Sequence, residues 1–206
     1  FVLLVNPAVS ANNMKDLIGW IRSQSGKVSF ASSGNGSQQH LSMEWIRTMA
    51  GGLDMIHVPY KGFGQGLADV LAGHVPMIFS GPTAAIQIIK SGKLKALGVT
   101  GKTRIKAMPE VPPIADDFAG YEIIAWYGFL APAGTPRDIV QKLSAESLKI
   151  LNQPDIKEKV VTLGFEPSAL NLCDKVVIPD KVGTGIKGLF LFLSLSKNQH
   201  LYLLTK

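Results

Sequence analysis

The chain has 206 residues, 46% of them hydrophobic and 17% charged, enough apolar material to bury a core and too much for a disordered polymer. Its net charge of +6 forms no basic stripe interleaved with aromatics, which argues against a nucleic-acid groove; half comes from the stretch after residue 168, where Lys175, Lys181, Lys187, Lys197 and Lys206 outweigh Asp174 and Asp180. The longest apolar run, residues 188–195, falls far short of the roughly 20 residues that a bilayer span needs, and a single cysteine, Cys173, cannot close an internal disulfide.

Strands and helices alternate through the first hundred residues. Residues 2–5 read as an apolar strand already in progress. Asn12 and Asn13 offer caps for a helix over 14–24, and 27–32 is a second strand. A helix over 38–50 carries Leu41, Trp45 and Met49 on one face at four-residue spacing. A strand at 55–58, a short helix at 65–72 closed by Gly73, and a strand at 75–79 follow. Pro82 opens a helix over 83–90 that Gly92 ends, and 94–99 is a fifth strand. This alternation predicts an α/β fold with a mostly parallel sheet.

The character changes at residue 100. Residues 100–113 contain Pro109, Pro112 and Pro113 and read as a connector. Residues 123–130 read as an apolar, aromatic strand. A turn through Pro132 and Gly134 then leads to a helix over 138–151, with Thr135 as its cap and Pro136 at its first position. A short helix over 154–163 ends at Gly164. Beyond residue 169 the periodicity decays, and the Leu/Phe run near the end has no evident partner.

The most informative segment joins the second strand to the next helix: Ser32, Ser33, Gly34, Asn35, Gly36 and Ser37, with His40 shortly after. Glycines allow close backbone approach, and a helix N-terminus presents N–H groups and a favourable dipole to an anion. A plain strand–helix turn with Ser37 as N-cap competes with that reading. His40 fits a structural hydrogen bond better than a catalytic role. Tyr60, Lys61 and Gly62 follow the third strand, and Ser80 and Gly81 follow the fourth. In parallel sheets such strand ends are where ligands sit. Trp126 and Gly128 interrupt the later aromatic strand. No zinc-type ligand spacing and no Gly-x-Ser-x-Gly elbow occurs, so no metal, cofactor or catalytic residue is expected. A small-molecule hydrolase using the Ser/His loop and a non-functional remnant are the alternatives.

In order, Leu4-Val5-Asn6-Pro7, Ser32 through Ser37 with His40-Leu41, His57-Val58-Pro59-Tyr60-Lys61-Gly62, Ala72-Gly73-His74-Val75, Gly92 through Leu97, Pro109-Glu110-Val111-Pro112 and Trp126-Tyr127-Gly128 with Ala131 through Pro136 form one series. That series resembles the Bug group, the extracytoplasmic solute receptors of tripartite tricarboxylate transporters, from residue 1 to about 168. The resemblance implies a periplasmic-binding-protein type II-like fold that closes on a small carboxylate, a di- or tricarboxylate or an amino acid, and works with the membrane components of the transporter. It implies that residues 1–100 are the second, ligand-binding lobe and 101–168 a partial first lobe, leaving 169–206 as an aberrant tail. Ser33, Gly34, Asn35, Gly36, Ser37, His40, Tyr60, Lys61, Gly62, Ser80, Gly81 and Trp126 are the expected ligand contacts. The family's opening half-domain and signal peptide are not matched. The expectation is therefore a fragment with impaired binding, periplasmic in full-length relatives and cytoplasmic if made as it stands.

Overall fold

A computed structural model describes residues 1–24, 26–124, 127–130, 135–165 and 190–193. By its internal contacts the chain divides into two units, Phe1–Ala125 and Trp126–Lys206.

The first unit is a five-stranded sheet with helices on both faces. Its elements are β1 (Val2–Val5), α1 (Met14–Ser23), β2 (Val28–Ser32), α2 (Gln38–Met49), β3 (Met55–Pro59), α3 (Phe63–Ala72), β4 (Met77–Ser80), α4 (Pro82–Lys90) and β5 (Lys95–Val99), with a single 3-10 turn at Ile114–Asp116. The strand order is β3-β2-β4-β1-β5. β2 runs parallel to β3 and β4, whereas β1 is antiparallel to both β4 and β5. Four strands therefore share one direction and β1 alone opposes them, so the sheet is mostly parallel as expected.

The unbroken apolar run of β1 reflects its central place. Successive side chains point to opposite faces, and Leu3 and Val5 join one core cluster while Val2 and Leu4 join the other. The first cluster is closed by Met14, Leu17 and Ile21 of α1 and by Met43 and Ile46 of α2. The second is closed by Val70 of α3 and by Ala85 and Ile86 of α4. A strand covered on both faces has no polar alternation to show.

Local chemistry sets the element ends. Asn13 caps α1 by accepting from the Asp16 N–H at 2.8 Å, while the Asp16 carboxylate reaches back to accept from the Asn12 N–H at 3.2 Å. Gly73, at φ 82°, closes α3 in the left-handed region that glycine tolerates. β4 starts two residues later than expected because Pro76 has no N–H for the ladder.

Three expectations are corrected. Leu41 and Trp45 do not line the buried face of α2: they are 54% and 40% exposed, and Gln39, Ser42, Met43 and Ile46 turn inward instead. The four-residue spacing was real, but a neighbouring stripe packs on the sheet. The proline-rich stretch after residue 100 is also more than a connector. Val99 donates to the Pro112 carbonyl at 2.9 Å, Ile123 donates to the Thr100 carbonyl at 2.9 Å, and Ile114 and Tyr121 are fully buried in the first core cluster. The compact unit thus runs past residue 100 to Ala125. Finally, Thr135 is not the cap of α5 (Arg137–Leu151). Pro136 holds that position with an extended ψ of 137°, so Arg137, and not Pro136, is the first helical residue.

In the second unit α5 is followed by α6 (Pro154–Thr162), and β6 (Tyr127–Leu130) pairs antiparallel with β7 (Phe190–Leu193), Tyr127 opposite Leu193. The Leu/Phe run therefore does find a partner strand. The remainder of the tail after residue 165, and Trp126, lie outside the described residues.

Candidate functional site

The expected ligand loops lie at one edge of the first unit's sheet. In the β2/β3 register Ser32 sits opposite Pro59, and in β2/β4 Ala31 sits opposite Ile78. The chain therefore leaves these three adjacent strands at the same edge. It enters α2, α3 and α4 there, capped by Ser37, Gly62 and Gly81. The Tyr60 N–H donates to the Ser32 carbonyl at 2.9 Å, tying the β3 end to the β2 end. Gln39, 6% exposed, ties β2 to β4: its Oε1 accepts from the Ser33 N–H and its Nε2 donates to the Phe79 carbonyl, both at 2.8 Å.

The loop over residues 33–37 is less open to a ligand than its glycines imply. Ser33 N–H is taken by Gln39, Gly34 N–H by Ser32 Oγ at 3.1 Å, Gly36 N–H by His40 Nδ1 at 3.1 Å and Ser37 N–H by the Gly34 carbonyl at 3.2 Å. Ser37 Oγ accepts from the His40 N–H at 3.3 Å and so acts as the N-cap. Among the described residues, the Asn35 N–H and the Ser33 hydroxyl have no protein partner. Most of the donors at this edge are then the first N–H groups of the helices, which have no intrahelical acceptor. Gly62 and Gly81 make no side-chain cap bond to α3 or α4.

The side chains differ in what they present. Lys61 and Asn35 are exposed, and Gly62 and Gly81 are half-buried. Ser80 is fully buried, with its hydroxyl donating to the Gly81 carbonyl at 3.1 Å. Tyr60 donates its hydroxyl to Asp69 Oδ2 at 2.5 Å. Burial, then that bond to a carboxylate, push the phenol up to about 12, while the Tyr60 and His74 bonds hold Asp69 below the usual carboxylate range. Tyr60 can offer a ligand its ring, with its oxygen already committed.

Behind the loop stands an aromatic stack that the sequence did not announce. Phe30, His57 and His40 lie nearly parallel, with centroids 4.9 Å apart for Phe30–His57 and 3.9 Å apart for His57–His40. The parallel pairing of Phe30 with His57 across β2 and β3 places both on one face. His57 Nε2 lies 2.6 Å from Ser32 Oγ. Burial, then the neighbouring His40, lower the proton affinity of His57, and Glu44 opposes them. This is a serine–histidine contact, but Ser32 is fully buried and its oxygen also bonds both the N–H and the carbonyl of Gly34. It braces a turn and cannot reach a substrate as a nucleophile would. His40 likewise bonds a backbone N–H and touches neither Ser33 nor Ser37 through its ring.

Ser32, Gln39 and Asp69 organise this edge; sequence reasoning included Ser32 in the informative segment but missed Gln39 and Asp69. Among the described residues there is no group of three His, Cys, Asp or Glu placed to hold a metal ion.

Residues 1–182 match the tripartite tricarboxylate transporter family receptor, TctC. A Pseudomonas relative, the UPF0065 protein in the tcbD-tcbE intergenic region, is 38% identical over 80% of this chain and 49% of its own length. R. palustris Rpa4515 with adipate superposes at a TM-score of 0.75, 30% identical over 79% of this chain and 55% of that one. The periplasmic binding protein BugD gives 0.71 at 30% identity, over 79% and 55%. The chain spans about half the length of the curated relatives it matches. With that family match covering residues 1–182, the chain belongs to the tripartite tricarboxylate transporter receptors, the Bug family of solute-binding proteins.

Proposed function

We propose that the edge where β2, β3 and β4 end holds the carboxylate of a small organic acid. The first unit then acts as the ligand-binding lobe of a periplasmic solute receptor that serves the membrane components of a tripartite transporter, and the second unit belongs to the other lobe. The observation that carries this reading is the common origin of α2, α3 and α4. Three helix N-termini open from adjacent parallel strand ends that Gln39 and the Tyr60–Ser32 bond tie together. Each terminus carries roughly +0.5 of an elementary charge, which suits an anion, and α2 and α3 add first-turn N–H groups, whereas α4 opens on Pro82, which has none. Asn35, Ser33 and Lys61 supply further donors from the same edge. The adipate bound to Rpa4515 supports a dicarboxylate as the class.

Titration calorimetry with adipate, citrate and glutamate tests this on the chain as it stands. We expect saturable dicarboxylate binding near the millimolar range, about −4 kcal/mol, because one lobe supplies only its share of the contacts. Asn35→Asp, which sets a carboxylate beside the bound one, should weaken it at least tenfold. Absence of saturation, or indifference to Asn35→Asp, overturns the site. Sub-micromolar binding overturns the claim of a partial contact set.

A further inference from the structure

We infer that the ligand loop carries a self-modification site, in which His40 acts as the general base for intramolecular deamidation of Asn35 through the Gly36 nitrogen. Deamidation at an Asn-Gly pair begins when the backbone nitrogen after the asparagine loses its proton and attacks the side-chain amide carbon. Here that N–H donates to an imidazole nitrogen, His40 Nδ1, at 3.1 Å. A base within hydrogen-bond reach of the proton it removes is the geometric requirement for general base catalysis. Such a bond also fixes the neutral tautomer, leaving the proton on Nε2, which lies 3.9 Å from Glu44 Oε1. The carboxylate can stabilise the imidazolium as it forms, the logic of an acid–histidine pair working on a nucleophile. The groups facing His40 are Glu44 from its own helix and His57 with Phe30 from the sheet.

The surroundings leave the reaction room. Asn35 and Gly36 are exposed, and a Cβ built on Gly36 would meet nothing within 4 Å. The Asn35 side chain makes no hydrogen bond among the described residues that would hold it away. The step balances without an outside reagent beyond water. The Gly36 nitrogen gives its proton to His40 and bonds to the Asn35 amide carbon. The imidazolium returns the proton to the departing amine, which leaves as ammonia, and a cyclic imide remains. Water then opens the imide at either carbonyl to aspartate or isoaspartate. The product adds a negative charge to the loop. That this charge would eject a carboxylate rests on the function proposed above, whereas the chemical step does not.

The test is mass spectrometry of the tryptic peptide covering residues 28–47 after timed incubation between pH 5 and 8, with isoaspartate resolved from aspartate. We expect conversion at Asn35 in the parent, faster at every pH than in the variants that follow. His40→Gln keeps an acceptor for the Gly36 N–H but no base, and should convert about tenfold more slowly, a conservative share of the 10²–10⁴ that a positioned base contributes. Glu44→Gln, which leaves His40 in place, should fall between them. Circular dichroism checks that each variant is folded. An intact Asn35 in the parent overturns the proposal. So does a His40→Gln rate equal to the parent's, since the histidine would then serve only as an acceptor.

Discussion

Replacing Gln39 by leucine should cost the first unit more than its size suggests. The two side chains have similar volume, so packing is nearly conserved and the loss is polar. Gln39 is 6% exposed, and both ends of its amide are used at 2.8 Å, on the Ser33 N–H and the Phe79 carbonyl. Stranding a buried donor or acceptor costs about 1–3 kcal/mol each. Ser33 is half-buried and can recover some hydration, while Phe79 lies inside the sheet. The expected loss is therefore about 2–4 kcal/mol, taking the lower part of the range for Ser33. With a urea slope of about 1–3 kcal/mol per molar, the midpoint should fall by at least about 0.7 M. Amide exchange at β1 and β4 across a urea series reports this unit alone. Gln39→Glu adds an internal check: it keeps the acceptor for Ser33 but loses the donor, and it should recover stability in mild acid, where a protonated carboxyl can again donate to Phe79. A Gln39→Leu midpoint within experimental scatter of the parent's would refute the view that this amide clamps the two strand ends together.

Two further changes probe the frame around the loop. The proton affinity of His57 is lowered in the fold, so the unfolded chain takes up more protons on acidification. The stability due to neutral His57 is therefore present above about pH 6.5, the ordinary histidine value, and is lost as pH falls through the depressed folded value. His57→Phe, which keeps the stack on Phe30, should show a smaller drop in urea midpoint between pH 7.5 and 5 than the parent, and equal drops would refute the assignment. Gly98→Ala tests whether the segment after residue 100 is integral: the added Cβ would lie 2.6 Å from Ile114 Cγ1, and the fully buried Ile114 must shift. Overpacking of this kind costs about 1–3 kcal/mol, and Ile114→Ala in the same chain should return part of it, a non-additivity that a double-mutant cycle measures.

What the sequence made legible follows from which residues act locally. Strand β1, the caps at Asn13, Ser37 and Gly73, and the Pro82 start of α4 all depend on neighbours within a few positions, and each stands where the pattern put it. The order of strand-end loops was equally readable, since parallel strands joined by helices must end at one edge. The inward face of α2 was not. Its stripe is partly polar, Gln39 and Ser42 beside Met43 and Ile46, because Gln39 bonds strands distant in sequence. The antiparallel entry of β1 between β4 and β5 was likewise invisible, as pairing direction leaves no mark on an apolar run of four residues. The histidine stack needed the register of β2 against β3, which only the fold supplies.

On the carboxylate-site proposal, the internal bonding of the 33–37 loop also decides what kind of anion site this edge would be. A glycine-rich turn that spends four of its amides on Gln39, Ser32, His40 and Gly34 is not a flexible cradle that wraps a ligand. Those bonds set the direction in which the chain enters α2 and leave Asn35 exposed. Attraction must then come from the helix ends and from Lys61. Lys61 is exposed, and an exposed ion pair contributes about 0–1 kcal/mol and is screened by salt. A partly buried helix terminus can reach about 2 kcal/mol, and three of them open at this edge. Affinity should therefore reside mainly in backbone placement, with Lys61 acting more on encounter rate. On that proposal, substitutions at Asn35 and Ser33 would alter ligand preference without disturbing the bonds that hold the three strand ends together.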